Sequence, residues 1–182
     1  MKILSQIWEL AKIFLIALAI VVPVRYFLFQ RFIVMGDSMV PNFHSGDYLI
    51  IDEISYRLSP PQRGDVIVFK YPQNPNHRFI KRIIGLPGET IEIQDGRITI
   101  YNKEGQTQVL DEEVYLPGAE NNTYGNLRIV LGEDEYFVLG DNRSYSSDSR
   151  NWGALPRNNI IGKVFIRIFP LASLGKIINP AY

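Results

Sequence analysis

Three polar clusters in this 182-residue chain carry side chains that can make and break bonds. The first is Gly36-Asp37-Ser38-Met39-Val40-Pro41-Asn42, and the second is Lys81-Arg82-Ile83-Ile84-Gly85-Leu86-Pro87-Gly88-Glu89. The third is Gly140-Asp141-Asn142-Arg143-Ser144-Tyr145-Ser146-Ser147-Asp148-Ser149-Arg150. Ser38 is a candidate nucleophile, but a hydroxyl needs a base to take its proton. The familiar partner is histidine with aspartate behind it. Only His44 and His77 are present. His44 lies close to Ser38 but across Pro41, and His77 sits in a polar turn, so surface or hydrogen-bonded roles are the default for both.

Lys81 is the better base. It interrupts a strand otherwise built from Phe79, Ile80, Ile83 and Ile84, and alternation can carry its amine toward an apolar interior. Desolvation there favours the neutral amine and lowers its pKa, as a lysine base requires. The plain alternative is a solvated lysine on an exposed strand face. Arg82 stays charged in any surroundings and cannot serve as base. Asp148 and Arg150 are spaced for a local ion pair across a turn, and Ser146 can hydrogen-bond a buried amine. A polar loop whose serines cap turns accounts for the same residues equally well.

Composition narrows the chemistry. With 46% hydrophobic and 21% charged residues, the chain is neither disordered nor a multi-pass membrane protein. A formal net charge of zero gives no support to nucleic-acid binding. The absence of cysteine excludes disulfides, thiolate nucleophiles and Cys-based metal sites. Two histidines are too few for an ordinary histidine-rich centre, so no metal site and no cofactor is expected.

The elements that must position these clusters begin with an apolar N-terminal run. Ile13 to Val24 carries no charge; twelve residues at helical rise span only about 18 Å of a hydrocarbon core about 30 Å thick. Lys12 and Arg25 can snorkel from its ends, which extends the usable helix from about Ile7 to Phe29. Trp8 near one end and Tyr26, Phe27 and Phe29 near the other resemble interfacial aromatic belts. Pro23 kinks such a helix without forbidding it. Ala17-Leu18-Ala19 has the form of a signal cleavage site but falls inside the apolar run, so the expectation is an uncleaved single-pass anchor. Lys2 and Lys12 balance Arg25 and Arg31, and charge gives no orientation.

Beyond Arg31 the pattern is strand-like. Phe32 to Met35, Tyr48 to Ile51, Val66 to Phe69, Arg78 to Ile84, Glu135 to Leu139 and Ile160 to Phe169 read as strands separated by turn signals. Thr90 to Gln94, Asp95-Gly96 and Arg97 to Tyr101 form the clearest hairpin. Arg63-Gly64-Asp65 invites an adhesion reading, but a plain turn before a strand is the simpler one. Residues 102–131 look polar and loop-rich. The expected architecture is mainly β, with no helix of ordinary length besides the anchor.

Ser38-Met39-x-Pro41, Lys81-Arg82-x-Ile84-Gly85-x-Pro87-Gly88 and Gly140-Asp141-Asn142-Arg143-x-x-Ser146-x-Asp148-Ser149-Arg150 resemble the three signature boxes of bacterial type I signal peptidases. Arg63-Gly64-Asp65-Val66-Ile67-Val68-Phe69 resembles a fourth, structural box. With the order of the boxes and the apolar segment before them, the resemblance covers nearly the whole chain. It implies a coiled β-sheet or partial barrel with one N-terminal transmembrane helix. The division expected is an N-terminal segment 1–31, a catalytic β domain 32–182 and a small β extension at about 89–134. It further implies a membrane-bound serine endopeptidase that removes signal peptides from pre-proteins after an Ala-x-Ala site. Ser38 is then the nucleophile and its backbone N–H an oxyanion donor. Lys81 is the base, Ser146 orients it, and Asp148 and Arg150 brace that loop. The setting implied is a bacterial plasma membrane with the catalytic domain on the extracytoplasmic side, or a thylakoid membrane. Lipid is an expected partner and nucleic acid is not.

The chain departs from the family pattern twice. Some members carry a Ser or Thr hydroxyl two residues before the nucleophile, where this chain has Gly36, and Asn42 stands where Thr commonly follows the proline. An extended substrate can pair its backbone with free strand edges. Phe32, Ile33, Val34 and Met35 on one side and Phe79 and Ile80 on the other are the expected substrate-binding residues. Met39, Val40 and Phe43 are candidates for lipid contact or for the core. Two other readings fit parts of the pattern: a self-cleaving Ser/Lys protease, and a membrane-anchored β module that binds peptides without catalysis.

Overall fold

The computed structural model describes residues 2–27, 29–117, 123–177 and 180. Helix α1 (Lys2–Phe27) precedes the β region in the chain. Along its described side chains Ile13, Phe14, Leu15 and Ile16 are all exposed. Among the described residues no helix is long and apolar enough to cross a membrane. The half of the expected apolar core from Ile20 to Phe29 lies outside the described side chains.

Among the described residues twelve strands follow: β1 (Phe29–Ile33), β2 (Tyr48–Asp52), β3 (Val66–Tyr71), β4 (Asn74–Gly85), β5 (Thr90–Gln94), β6 (Arg97–Tyr101), β7 (Thr107–Val109), β8 (Leu127–Val130), β9 (Glu135–Leu139), β10 (Leu155–Pro156), β11 (Ile160–Phe169) and β12 (Gly175–Lys176). The larger sheet runs β1–β2–β11–β3–β4–β9–β10, with β12 beside β11; the smaller runs β7–β6–β5–β8. The path of the larger sheet does not return on itself, so the barrel is open. Helices α2 (Ser55–Leu58) and α3 (Ser149–Trp152) are single turns.

Period-two alternation sets the layers. On β3, Val66 and Val68 join Val34, Met39, Phe43, Leu49, Ile51, Ile80 and Val164 in one cluster. Ile67 and Phe69 point the other way, to Ile83, Val138 and Leu155. Ile84, Phe137 and Leu139 of the larger sheet pack against Ile91, Ile93, Ile98 and Ile100 of the smaller one, which bonds the two sheets through a shared apolar layer. The β5–β6 turn has Asp95 at φ 51° and Gly96 at φ 78°, the two left-handed residues of a type I′ hairpin turn.

Three expectations change on this framework. The first strand begins and ends earlier than Phe32–Met35, since β1 closes at Ile33. Val34 N–H then donates to Asp47 and its carbonyl accepts from Gly46. Val34 is 1% exposed inside the core, so it is not a surface for substrate. Met39 and Phe43 are buried in the same cluster, which removes them from lipid contact, while Val40 is half-buried. In the Arg63-Gly64-Asp65 turn, Arg63 makes a two-pronged bond to Glu89 at 2.6 and 3.0 Å. Asp65 is buried beneath Tyr56 and Lys163. The triplet ties a turn to the sheet.

Candidate active site

The turn after β1 and the middle of β4 bring the first two clusters together. Lys81 Nζ donates to Ser38 Oγ at 2.6 Å and to the Ile80 carbonyl at 2.9 Å. Lys81 is 3% exposed, and its amine lies 5.5 Å from the centre of the Phe79 ring. Burial pulls its pKa from 10.5 down to about 8, against the opposing pull of the Asp148 and Asp141 carboxylates. Near neutrality a usable fraction of the amine is therefore unprotonated and able to accept a proton from the hydroxyl beside it. His44 is exposed on the turn before β2, and His77 lines the cleft beside Lys81 without bonding to Ser38.

The third cluster holds the serine turn from below. Asn142 N–H donates to the Ser38 carbonyl at 3.1 Å, and its amide Nδ2 to the Asp37 carbonyl at 3.0 Å. A side chain at Gly140 has no room, because its Cβ would lie 2.1 Å from Ser146 Oγ and 2.4 Å from the Ser38 carbonyl oxygen. Asp148 accepts from Gly140 N–H at 3.0 Å and from Arg150 Nε and Nη2 at 2.8 and 2.9 Å, while capping α3. Ser146 Oγ is buried next to Gly140 and makes no hydrogen bond, to Lys81 or to any other described group. The Ser38 N–H likewise makes none among the described residues, so it is available to an incoming oxygen. At Gly36, φ is +85° and an added Cβ meets nothing within 4 Å, so that side of the serine turn is open.

Two buried ion pairs brace this arrangement, and sequence reasoning passed over both. Arg82 clamps Asp141 through Nε at 2.9 Å and Nη2 at 2.7 Å, and its guanidinium lies 4.2 Å from the Tyr115 ring centre. Asn42 Nδ2 donates to Asp141 and to the Tyr115 carbonyl, both at 2.9 Å, so the amide that replaces the family's threonine is bonded on two sides. Arg143 reaches the Gly140 carbonyl at 3.0 Å and clamps Glu112 at 2.6 and 2.7 Å. Glu112 and Tyr115 lie in the segment that looks like a polar loop. The signal that marks Arg82 is its place beside Lys81 on a buried strand, where alternation sends one charge each way.

A cleft of about 520 Å³ opens over Ser38 and Lys81. Phe32, Ile33, Met35, Phe79 and Ile80 line it, and Val34 does not. Two strand edges flank it. β1 ends the larger sheet, and β9 pairs with β4 only along Arg82 to Gly85, leaving 74–81 unpaired on that side.

Residues 7–169 match the family model described as signal peptidase, peptidase S26. The chain is 38% identical over 184 residues to a signal peptidase I of Leptolyngbya laminosa, covering 97% of this chain and 86% of that one. It is 36% identical over 181 residues to a probable signal peptidase I-1 of Synechocystis sp., covering 93% and 88%. It is 35% identical over 176 residues to signal peptidase I P of Bacillus subtilis subsp. natto, covering 92% and 91%. The protein is a hydrolase of the serine peptidase class. Within that class it belongs to the signal peptidase family, peptidase S26.

Proposed function

We propose that this peptidase removes N-terminal signal peptides from exported pre-proteins by a Ser38/Lys81 dyad, cutting after an Ala-x-Ala site. The observation that carries the reading is the 2.6 Å contact between the Ser38 hydroxyl and an amine that burial brings to about 8. Neutral Lys81 takes the proton as Ser38 Oγ attacks the carbonyl of the last signal-peptide residue. The Ser38 N–H donates to the developing oxyanion. Lys81 then protonates the leaving amine, takes a proton from water as the resulting hydroxide attacks the acyl-enzyme, and gives that proton to Ser38 Oγ as the acyl group leaves. Ser146 Oγ, buried and unbonded beside the Ser38 turn, orients the amine as the reaction proceeds, and the Asp148–Arg150 pair holds that loop.

The signal peptide lies extended along the cleft, pairing with the free edges of β1 and β4. Phe32, Ile33, Met35, Phe79 and Ile80 make shallow apolar pockets suited to alanine. The outward apolar face of α1 supports a single-pass anchor. Tethering enzyme and substrate to one bilayer raises their effective concentration. The setting proposed is a bacterial plasma membrane with the catalytic region on the extracytoplasmic side, with a thylakoid membrane as the second setting.

The test is cleavage of a pre-protein with an Ala-x-Ala site by detergent-solubilised protein, comparing wild type with Ser38→Ala and Lys81→Ala. A cut after the final alanine by wild type, absent in both folded variants, supports the reading. Variants that cut as well as wild type would overturn the dyad, and no cut by wild type in detergent or lipid would overturn the substrate.

A further inference from the structure

Arg78 and Gln30 meet across the mouth of the cleft. Arg78 Nη1 donates to Gln30 Oε1 at 3.1 Å, one side chain from β4 and the other from β1, and both residues are exposed. The successive antiparallel pairings β1–β2, β2–β11, β11–β3 and β3–β4 make β1 and β4 parallel to each other, both running toward the dyad. The two strands are not backbone-paired, so this contact is the side-chain bridge that spans the gap a substrate strand has to enter. Charge along the cleft is one-sided: among the described residues Arg78 and Lys81 line it and no aspartate or glutamate does.

Position along the strand fixes what the bridge meets. Arg78 precedes Lys81 by three residues, about 10 Å at strand rise. Three substrate residues paired along that length account for the Ala-x-Ala triplet, with its last residue at Ser38. The residue immediately before the triplet then arrives at Arg78. On the signal-peptidase reading above, we infer that Arg78 is a specificity-determining residue that selects the side chain preceding the Ala-x-Ala triplet, favouring an acidic or neutral residue over a basic one. Gln30 holds the guanidinium across the gap in the empty enzyme. The incoming strand displaces Gln30, and the freed guanidinium faces the substrate. A substrate carboxylate replaces the lost hydrogen bond with a charge-assisted one. A substrate lysine meets a like charge with no carboxylate in the cleft to offset it.

The experiment uses the full chain in detergent and three synthetic peptides that differ only in Glu, Gln or Lys immediately before Ala-x-Ala. Wild type is expected to show kcat/KM for Glu about five- to tenfold above Lys, with Gln between them; solvent exposure of the site keeps the ratio modest. Arg78→Gln collapses the ratio toward one, and Arg78→Glu reverses it. Raising salt compresses the wild-type ratio, because the interaction is screened. Gln30→Ala keeps the order of preference, since the guanidinium remains. A wild-type ratio within twofold of one, or a ratio unchanged in Arg78→Glu, overturns the inference while cleavage of the Gln peptide leaves the signal-peptidase reading standing. Failure of wild type to cleave any of the three overturns that reading and the inference with it.

Discussion

Ser38 Oγ and Lys81 Nζ lie 2.6 Å apart although 43 residues separate them in the chain. The contact is made by a turn that follows an edge strand and by a lysine in the buried half of β4. On the proposed dyad mechanism Lys81 must be neutral to act as base, so activity depends on its ionisation. Burial sets its pKa at about 8 in the free enzyme. The expected kcat/KM profile rises with pH along an acid limb with an apparent pKa near 8 and flattens above it. A profile already flat from pH 6 to 9 would remove Lys81 as the titrating group.

The same burial has a cost in stability. A lysine whose folded pKa lies below its unfolded value opposes folding most strongly below the folded pKa. That opposition fades as pH rises from about 8 to 10.5, where the unfolded chain still holds the proton and the folded one does not. Lys81→Met fills the same space without the charge. It is expected to be inactive and, at pH 7, more stable than wild type by about 3 kcal/mol before packing losses. Urea melts at pH 7 and pH 10 check both parts, with the gain shrinking at the higher pH.

How far this site can be read from residues alone depends on the distance over which the interaction acts. The β5–β6 hairpin is legible because Asp95-Gly96 fixes its turn locally. Asp148 and Arg150 are legible because two positions only two residues apart make their own ion pair. Lys81 is legible from charge that interrupts an apolar strand. Glu112 is not: its partner Arg143 is 31 residues away, and a buried carboxylate in a polar stretch has no periodicity to distinguish it. Val34 fails for a related reason. Alternation predicts two faces for a strand but not where the strand ends, and the turn bonds to Gly46 and Asp47 carry Val34 inward.

Buried and exposed ion pairs in this protein should therefore separate cleanly on mutation. Arg143 and Glu112 have side chains 1% and 2% exposed, whereas Lys103 and Glu133 are 53% and 81% exposed. Glu112→Ala leaves a desolvated guanidinium without its carboxylate and is expected to cost about 3–5 kcal/mol. Glu133→Ala is expected to cost less than about 1 kcal/mol. Thermal melts should place the first roughly 10 °C below the second at about 2–4 °C per kcal/mol for a chain of this size. Equal melting temperatures would mean that Glu112 does not neutralise Arg143 in solution.

Gly140 gives the sharpest steric test, because the group in its way is partly backbone. A methyl at its Cβ would sit 2.4 Å from the Ser38 carbonyl oxygen and 2.1 Å from Ser146 Oγ. The Ser146 hydroxyl can rotate aside, but its Cβ at 2.5 Å cannot, and the carbonyl moves only with the turn that carries Ser38. That turn is held at the same carbonyl by Asn142 N–H, so relief at Gly140 breaks the bond that positions Ser38. A misplacement of about 1 Å at a reacting atom costs on the order of a hundredfold in rate. Gly140→Ala is expected to lower kcat by at least that factor. Gly140→Ala combined with Ser146→Ala removes the hydroxyl clash but leaves those with the Ser146 Cβ at 2.5 Å and with the Ser38 carbonyl, so the double variant is expected to recover little. Recovery of wild-type kcat in the double variant would show that the hydroxyl, not the Ser38 backbone, sets the limit on this glycine.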